Sequence, residues 1–82
     1  MTILVTTGKL QIMALLGFLT DVVIMEKDLG YAVLATASDN SLLYLCDSKN
    51  SIKYFKSIDS SVKLLKKIGI RTARIELSAC KD

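Results

Sequence analysis

The sequence contains no histidine, tryptophan or proline, and only two cysteines. Without histidine the chain cannot assemble a Ser-His-Asp triad, and two cysteines far apart in sequence cannot complete a zinc site within one chain. We therefore predict that the protein holds neither a metal ion nor a cofactor. We expect Cys46 to be a buried thiol and Cys80 an exposed thiol in the tail, rather than partners in a disulfide.

Long hydrophobic runs are also missing. The longest, residues 10–19, follows Lys9 and has the length of the apolar part of a signal peptide, but it is too short to cross a bilayer. Gln11 interrupts this run and Asp21 ends it. The small-x-small site at residues 35–37 lies too far downstream for signal cleavage. We therefore predict a cytoplasmic protein without a membrane partner.

No catalytic motif stands out. Four acidic residues lie in or beside predicted turns, where carboxylates are usually solvated: Glu26, Asp28, Asp39 and Asp47. Ser60 and Lys63 have the spacing of a Ser/Lys dyad, but the companion motifs of such enzymes are absent. There is no glycine-rich phosphate-binding motif. We therefore predict that the protein is not an enzyme.

The chain does have enough apolar sequence for one domain. Its 82 residues are 51% apolar, which suffices for a single core near the lower size limit of independent domains. We see no internal repeat and no linker. Residues 1–82 are therefore expected to form one domain.

Residues 54–77 show the clearest local structure, a strand, a helix and a second strand. Ser57 is a predicted helix N-cap, Asp59 suits the positive end of the helix dipole, and Gly69 is expected to end the helix. The apolar stripe recurs every three or four residues, at Ile58, Ser61, Val62, Leu65 and Ile68. The strand at residues 71–77 alternates polar residues with a set expected to be buried: Ala73, Ile75 and Leu77.

The N-terminal part predicts a second helix. Residues 2–5 are apolar and are either a short strand or a frayed end. Thr6 or Thr7 is expected to cap a helix over about residues 9–18, although a strand is an alternative for this short apolar run. Such a helix is apolar around most of its circumference, so it must either lie deep against the sheet or meet a second copy of the chain. We expect a homodimer.

Four strands are predicted between the helices, at residues 21–26, 31–37, 42–46 and 51–55. The connections have turn compositions, which favour a meander. The resulting order is α-β-β-β-β-α-β. We therefore predict an α+β fold with an antiparallel sheet of four to five strands and both helices on one face. Small residues on one side of the strand at 31–37 indicate that a helix approaches there closely.

The charge distribution is uneven. Residues 1–40 carry two Lys or Arg and four Asp or Glu, a net charge of −2, whereas residues 41–82 carry nine and four, a net charge of +5. The predicted binding residues, for nucleic acid or a partner protein, are the basic residues within and around the second helix: Lys53, Lys56, Lys63, Lys66, Lys67, Arg71 and Arg74. Such a set can contact phosphates without reading sequence. A solvated lysine face is the alternative.

Aromatic residues offer a second route to nucleic-acid binding. Tyr31, Tyr44, Tyr54 and Phe55 could stack bases on a sheet face, as in single-strand binding proteins. The alternative is that Tyr54 and Phe55 belong to the core.

Residues 53–77 carry a family resemblance. The segment KYFKSIDSSVKLLKKIGI, followed by ARIEL, resembles the C-terminal part of small plasmid-borne ParC-type partition or maintenance proteins. In that pattern an aromatic residue, a basic residue, Ser or Thr, an aliphatic residue and Asp precede a basic helix, then Gly-Ile or Gly-Val and a strand. The matching residues here are Phe55, Lys56, Ser57, Ile58, Asp59, Gly69 and Ile70, with the helix at residues 62–68 between them. The N-terminal helix and hairpin are similar too, so the resemblance covers most of residues 7–78.

The resemblance implies a non-catalytic accessory role in plasmid partition or maintenance, through DNA or through a partition or other plasmid protein. It does not supply functional residues of its own. The alternative from a different class is a small protein–protein adaptor or regulatory module that binds no nucleic acid. If the seven basic residues lie together on one surface, the DNA-binding hypothesis is favoured. If they are scattered around the domain, the adaptor hypothesis is favoured.

Overall fold

The fold is a five-stranded sheet with two helices packed on one of its faces, which confirms the predicted α+β class. The computed structural model describes residues 2–77. The elements in chain order are β1 (Thr2–Val5), α1 (Thr7–Leu15), β2 (Leu19–Lys27), β3 (Gly30–Ala37), β4 (Leu42–Leu45), α2 (Ile58–Lys67) and β5 (Arg74–Glu76).

The sheet is mixed, and the prediction of an antiparallel sheet was wrong in this respect. Its strand order is β1-β4-β3-β2-β5. β3 is antiparallel to β2 and β4, whereas β1 is parallel to β4 and β5 is parallel to β2. Each helix returns the chain across the sheet, so the strand after a helix runs in the same direction as the strand before it. The meander interpretation held only for the three central strands.

Two strand predictions need correction. Residues 51–55 do not form a strand; they make only isolated pairings, Cys46 with Ile52 and Tyr31 with Phe55. The last strand is shorter than predicted, and residues 71–77 are exposed throughout, including the predicted buried residues Ala73, Ile75 and Leu77. The alternation of apolar and polar residues shows only that successive side chains point to opposite faces of the sheet. β5 is an edge strand, and nothing in residues 2–77 buries its apolar side. Residues 2–5, for which a frayed end was the alternative, are a paired edge strand.

Both helices pack on the same sheet face, as predicted. Leu10 of α1, Leu65 of α2 and Ile68, the C-cap of α2, share one buried cluster with side chains from the strands. The strand members of that cluster are Val5, Val22, Ile24, Val33, Ala35, Ala37, Leu43 and Leu45. Ala35 and Ala37 of β3 belong to this cluster beneath the helices, which confirms that small residues on this side of β3 mark the close approach. Cys46 is a buried free thiol, whereas Cys80 lies outside the described residues.

The helix ends follow from local chemistry. The Ser57 hydroxyl accepts a hydrogen bond from the backbone N–H of Ser60 at 3.2 Å, and the Thr6 hydroxyl accepts one from that of Lys9, also at 3.2 Å. α1 therefore begins at Thr7, two residues before the predicted start, and ends at Leu15 rather than near residue 18. Gly69 follows α2 with φ +96°, a conformation that glycine adopts without steric cost.

Neither helix, nor any other part of residues 2–77, forms a helical segment long and apolar enough to cross a bilayer.

Candidate nucleic-acid interface

The outer face of α2 carries three lysines. Ser61, Leu65 and Ile68 point into the core, and the 100° advance per residue places the lysines on the opposite side of the helix. These residues, Lys63, Lys66 and Lys67, are all exposed. Within residues 2–77 none of the three forms an ion pair. Their charges are therefore free to attract an anionic partner.

Asp59 lies on the same side of α2, one turn before Lys63. A carboxylate there interacts favourably with the helix dipole and reduces the positive potential near the N-terminal end of the helix. Lys66 and Lys67 lie in the last turn, at the negative end of the dipole. The positive charge is therefore concentrated toward the C-terminal end of α2.

Arg71 extends this charge beyond the helix. Arg71 and Lys66 line the same groove, of about 160 Å³, between α2 and β5. Its floor is apolar, formed partly by Ile24 and Leu65. We call Lys63, Lys66, Lys67 and Arg71 the basic surface. The three lysines share the outer side of α2, and Arg71 joins them through the groove that it lines with Lys66.

Arg74 is the first exception among the seven. Its Nη2 donates a hydrogen bond to Asp21 Oδ2 at 2.6 Å, and its Nε reaches Asp21 Oδ1 at 3.4 Å. This hydrogen bond lowers the pKa of Asp21 and raises that of Arg74. The pairing joins β5 to β2 and compensates the Arg74 charge, so Arg74 is a poor candidate for phosphate contact. No sequence signal identifies a partner 53 residues away.

Lys53 is the second exception. Its ammonium lies 5.4 Å from the centre of the Phe55 ring, a cation–π distance. It also lines a different groove, of about 490 Å³, at the N-terminal end of α1, together with Thr6 and Asp47. Lys53 therefore does not belong to the basic surface. Lys56 is exposed just before the cap of α2 and lies at the opposite end of that helix from Arg71.

The aromatic residues do not form a common stacking surface. Tyr31 packs against the core cluster, of which Phe55 is a buried member. Tyr44 lies on the sheet face opposite the helices, where its hydroxyl contacts Met25 Sδ at 3.9 Å. Tyr54 is partly exposed beside Phe55. Because two of the four rings belong to the core, one lies on the opposite sheet face and one is exposed, they do not stack bases together, and any nucleic-acid contact rests on the basic side chains.

Two turn carboxylates, those of Asp39 and Asp47, accept hydrogen bonds from the backbone of their own turns and do not form a catalytic site. Asp47 Oδ1 accepts hydrogen bonds from the backbone N–H groups of Lys49 at 2.9 Å and Ser51 at 3.1 Å. Asp39 Oδ1 accepts one from Ser41 at 3.0 Å. These bonds lower the pKa of both carboxyl groups, the opposite of what a general acid at neutral pH requires. Among residues 2–77 there is no cluster of three or more potential metal ligands.

Comparison with known proteins gave no match: no family model, no curated protein and no solved structure is significantly similar to this chain. Functional inference therefore rests on the geometry and charge described above and on the resemblance of residues 53–77.

Proposed function

We propose that this protein is a non-catalytic, cytoplasmic accessory protein in plasmid partition or maintenance, and that its basic surface contacts the phosphate backbone of DNA. The plasmid context rests on the resemblance of residues 53–77 to ParC-type proteins. The DNA contact rests on one observation, the three exposed lysines that α2 carries on the side opposite its buried stripe, none of which forms an ion pair within residues 2–77.

The basic surface is suited to contact with the phosphate backbone of DNA rather than to recognition of the bases. Lysine is a flexible point charge that suits phosphate oxygens, and Arg71 continues the positive charge past the end of α2. Four cations that each neutralise one phosphate give a dependence of log K on log salt with a slope of about −3 to −4. Binding should therefore be weak at physiological salt and insensitive to sequence.

The test is fluorescence anisotropy of a labelled duplex titrated with protein at several salt concentrations. We expect the triple variant Lys63→Ala/Lys66→Ala/Lys67→Ala to lose most of the binding and to reduce the magnitude of the salt slope by about 3. The matched control is Lys9→Ala/Lys27→Ala/Lys49→Ala, which removes the same charge from exposed lysines outside α2. The control should keep most of the affinity and nearly the full slope.

Two results would contradict the proposal. Equal losses in the two triple variants would mean that net charge, not the α2 face, attracts DNA. Absence of wild-type binding at low salt would remove the DNA interpretation altogether.

A protein–protein adaptor is the second candidate. The observation that favours it is that two of the seven basic residues are already engaged within the chain, Arg74 by Asp21 and Lys53 by the Phe55 ring. In an adaptor the lysines of α2 would only solvate the helix. The anisotropy experiment separates the two candidates, because an adaptor gives no salt-dependent signal attributable to α2.

A further inference from the structure

The outward side of α1 carries a group of exposed large apolar residues. α1 buries Leu10 fully and packs Met13 and Ala14 against the core, but its other side faces solvent. Three large residues lie there within one arc of the helix, and Phe18 follows just after it. Their exposed fractions are 58% for Ile12, 74% for Leu15, 61% for Leu16 and 48% for Phe18.

We propose that this α1 face is the contact surface for a second copy of the chain. Ile12, Leu15 and Leu16 recur at the spacing of three and four that lets one helix pack against another. Gly8, one turn before Ile12, continues the arc, and there is open space where its side chain would stand. A facing helix can therefore approach this end of α1 closely.

The area is sufficient for a reversible dimer. Taking about 200 Å² for a fully exposed large residue, the four side chains present roughly 480 Å² of apolar surface per copy. Two copies would bury about 1,000 Å² once the flanking atoms are included, the lower limit for a specific interface. We therefore expect a dissociation constant in the micromolar range rather than an obligate dimer.

The charge pattern favours a second copy over other partners. α1 has no acidic residue, and its one charged residue, Lys9, lies at the edge of the arc, where it lines a groove with Met13 and Asp39. Two such faces therefore meet with apolar side chains at the centre and one lysine of each copy at the edge. The outer face of α2, in contrast, carries three lysines and would repel its own copy. Self-association through α1 therefore does not require the lysines of α2.

The test is sedimentation velocity over a protein concentration series, with two single-residue variants matched in chemistry and exposure. Leu15→Glu places a charge in the α1 face. Leu29→Glu does the same at a leucine that is 76% exposed in the β2–β3 hairpin, at the far end of β2 from α1. We expect wild type and Leu29→Glu to dimerise at micromolar concentration, and Leu15→Glu to raise the dissociation constant at least tenfold. Leu16→Glu should behave like Leu15→Glu.

Three outcomes would overturn the proposal. The first is a wild type that stays monomeric at several hundred micromolar. The second is a dimer that survives both α1 variants, which would place the interface elsewhere. The third is a monomeric wild type that binds vesicles of phosphatidylcholine and phosphatidylglycerol while Leu15→Glu does not, which would assign the face to a membrane surface. Circular dichroism melting confirms that each variant is folded, and none of these outcomes depends on DNA binding.

Discussion

At the scale of single residues, Gly30 shows how one side chain can be forbidden by the fold. Gly30 begins β3 with φ +137°, and a Cβ built there would lie 2.5 Å from the Phe55 carbonyl oxygen. The approach is close because Tyr31 and Phe55 exchange backbone hydrogen bonds of 2.9 and 2.8 Å. The segment after β4 is thereby held against the start of β3.

We predict that Gly30→Ala lowers the free energy of unfolding by about 2–4 kcal/mol, because it combines a strained φ with a backbone clash. Gly69→Ala is the matched comparison: its φ is +96°, but nothing lies within 4 Å of the added Cβ. That variant should lose only about 1–2 kcal/mol, the cost of the left-handed conformation. Urea denaturation measures both, and equal losses would mean that the Phe55 contact contributes nothing.

At the scale of elements, the two helices differ in how their apolar residues are distributed. α2 is apolar on one side only, and that side meets the sheet through Leu65 and Ile68. α1 is apolar on both sides, and among the described residues, 2–77, cover is provided only to the side containing Leu10. The helical period of 3.6 residues therefore identifies the buried side of α2. In α1 it does not show which of the two apolar sides is buried.

The start of α2 gives the prediction at this scale. Replacing Ser57 by alanine removes the acceptor for the Ser60 N–H and should lower the free energy of unfolding by about 1 kcal/mol. Ser57→Asp keeps an acceptor at the same position and should restore most of that stability. The two variants are compared by thermal and urea unfolding. If Ser57→Asp were as unstable as Ser57→Ala, the serine would be stabilising α2 by another route.

At the scale of the whole molecule, acid sensitivity should come from three aspartates with hydrogen-bonded carboxylates. Asp21 bonds Arg74, and Asp39 and Asp47 bond the backbone of their own turns, so the pKa of each is lowered from its usual 3.8. A lowered folded-state pKa stabilises the fold at pH values above the usual pKa. That contribution is lost as the pH falls through the lower folded-state value.

We therefore predict that the melting temperature is nearly constant between pH 5 and pH 8 and falls below about pH 4. The plateau is expected because the chain has no histidine to titrate near neutrality. Calorimetry across this range measures the effect, and Asp47→Asn should lose less stability on acidification than the wild type. A melting temperature that rises below pH 4 would contradict the assignment of these carboxylates.

Much of the local structure was predictable because its causes lie within a few residues. The Ser57 cap, the glycine that ends α2, the β2–β3 hairpin and the buried stripe of α2 all depend on spacing along the chain. The prediction that both helices share one sheet face was also correct, since each has an apolar stripe that requires cover. The bounds of α1 and β5 were less accurate because short apolar runs do not show where hydrogen bonding stops.

The sequence by itself determined the class of the fold and the lysine face of α2, because periodicity and composition are local properties. Only the tertiary structure decided which strands are parallel, that Asp21 compensates the charge of Arg74, that Lys53 lies apart from the basic surface and that residues 2–77 leave half of α1 uncovered. Each of these depends on which distant segments meet. The strand order determines which distant segments are in contact, and the spacing of residues along the chain does not specify that order.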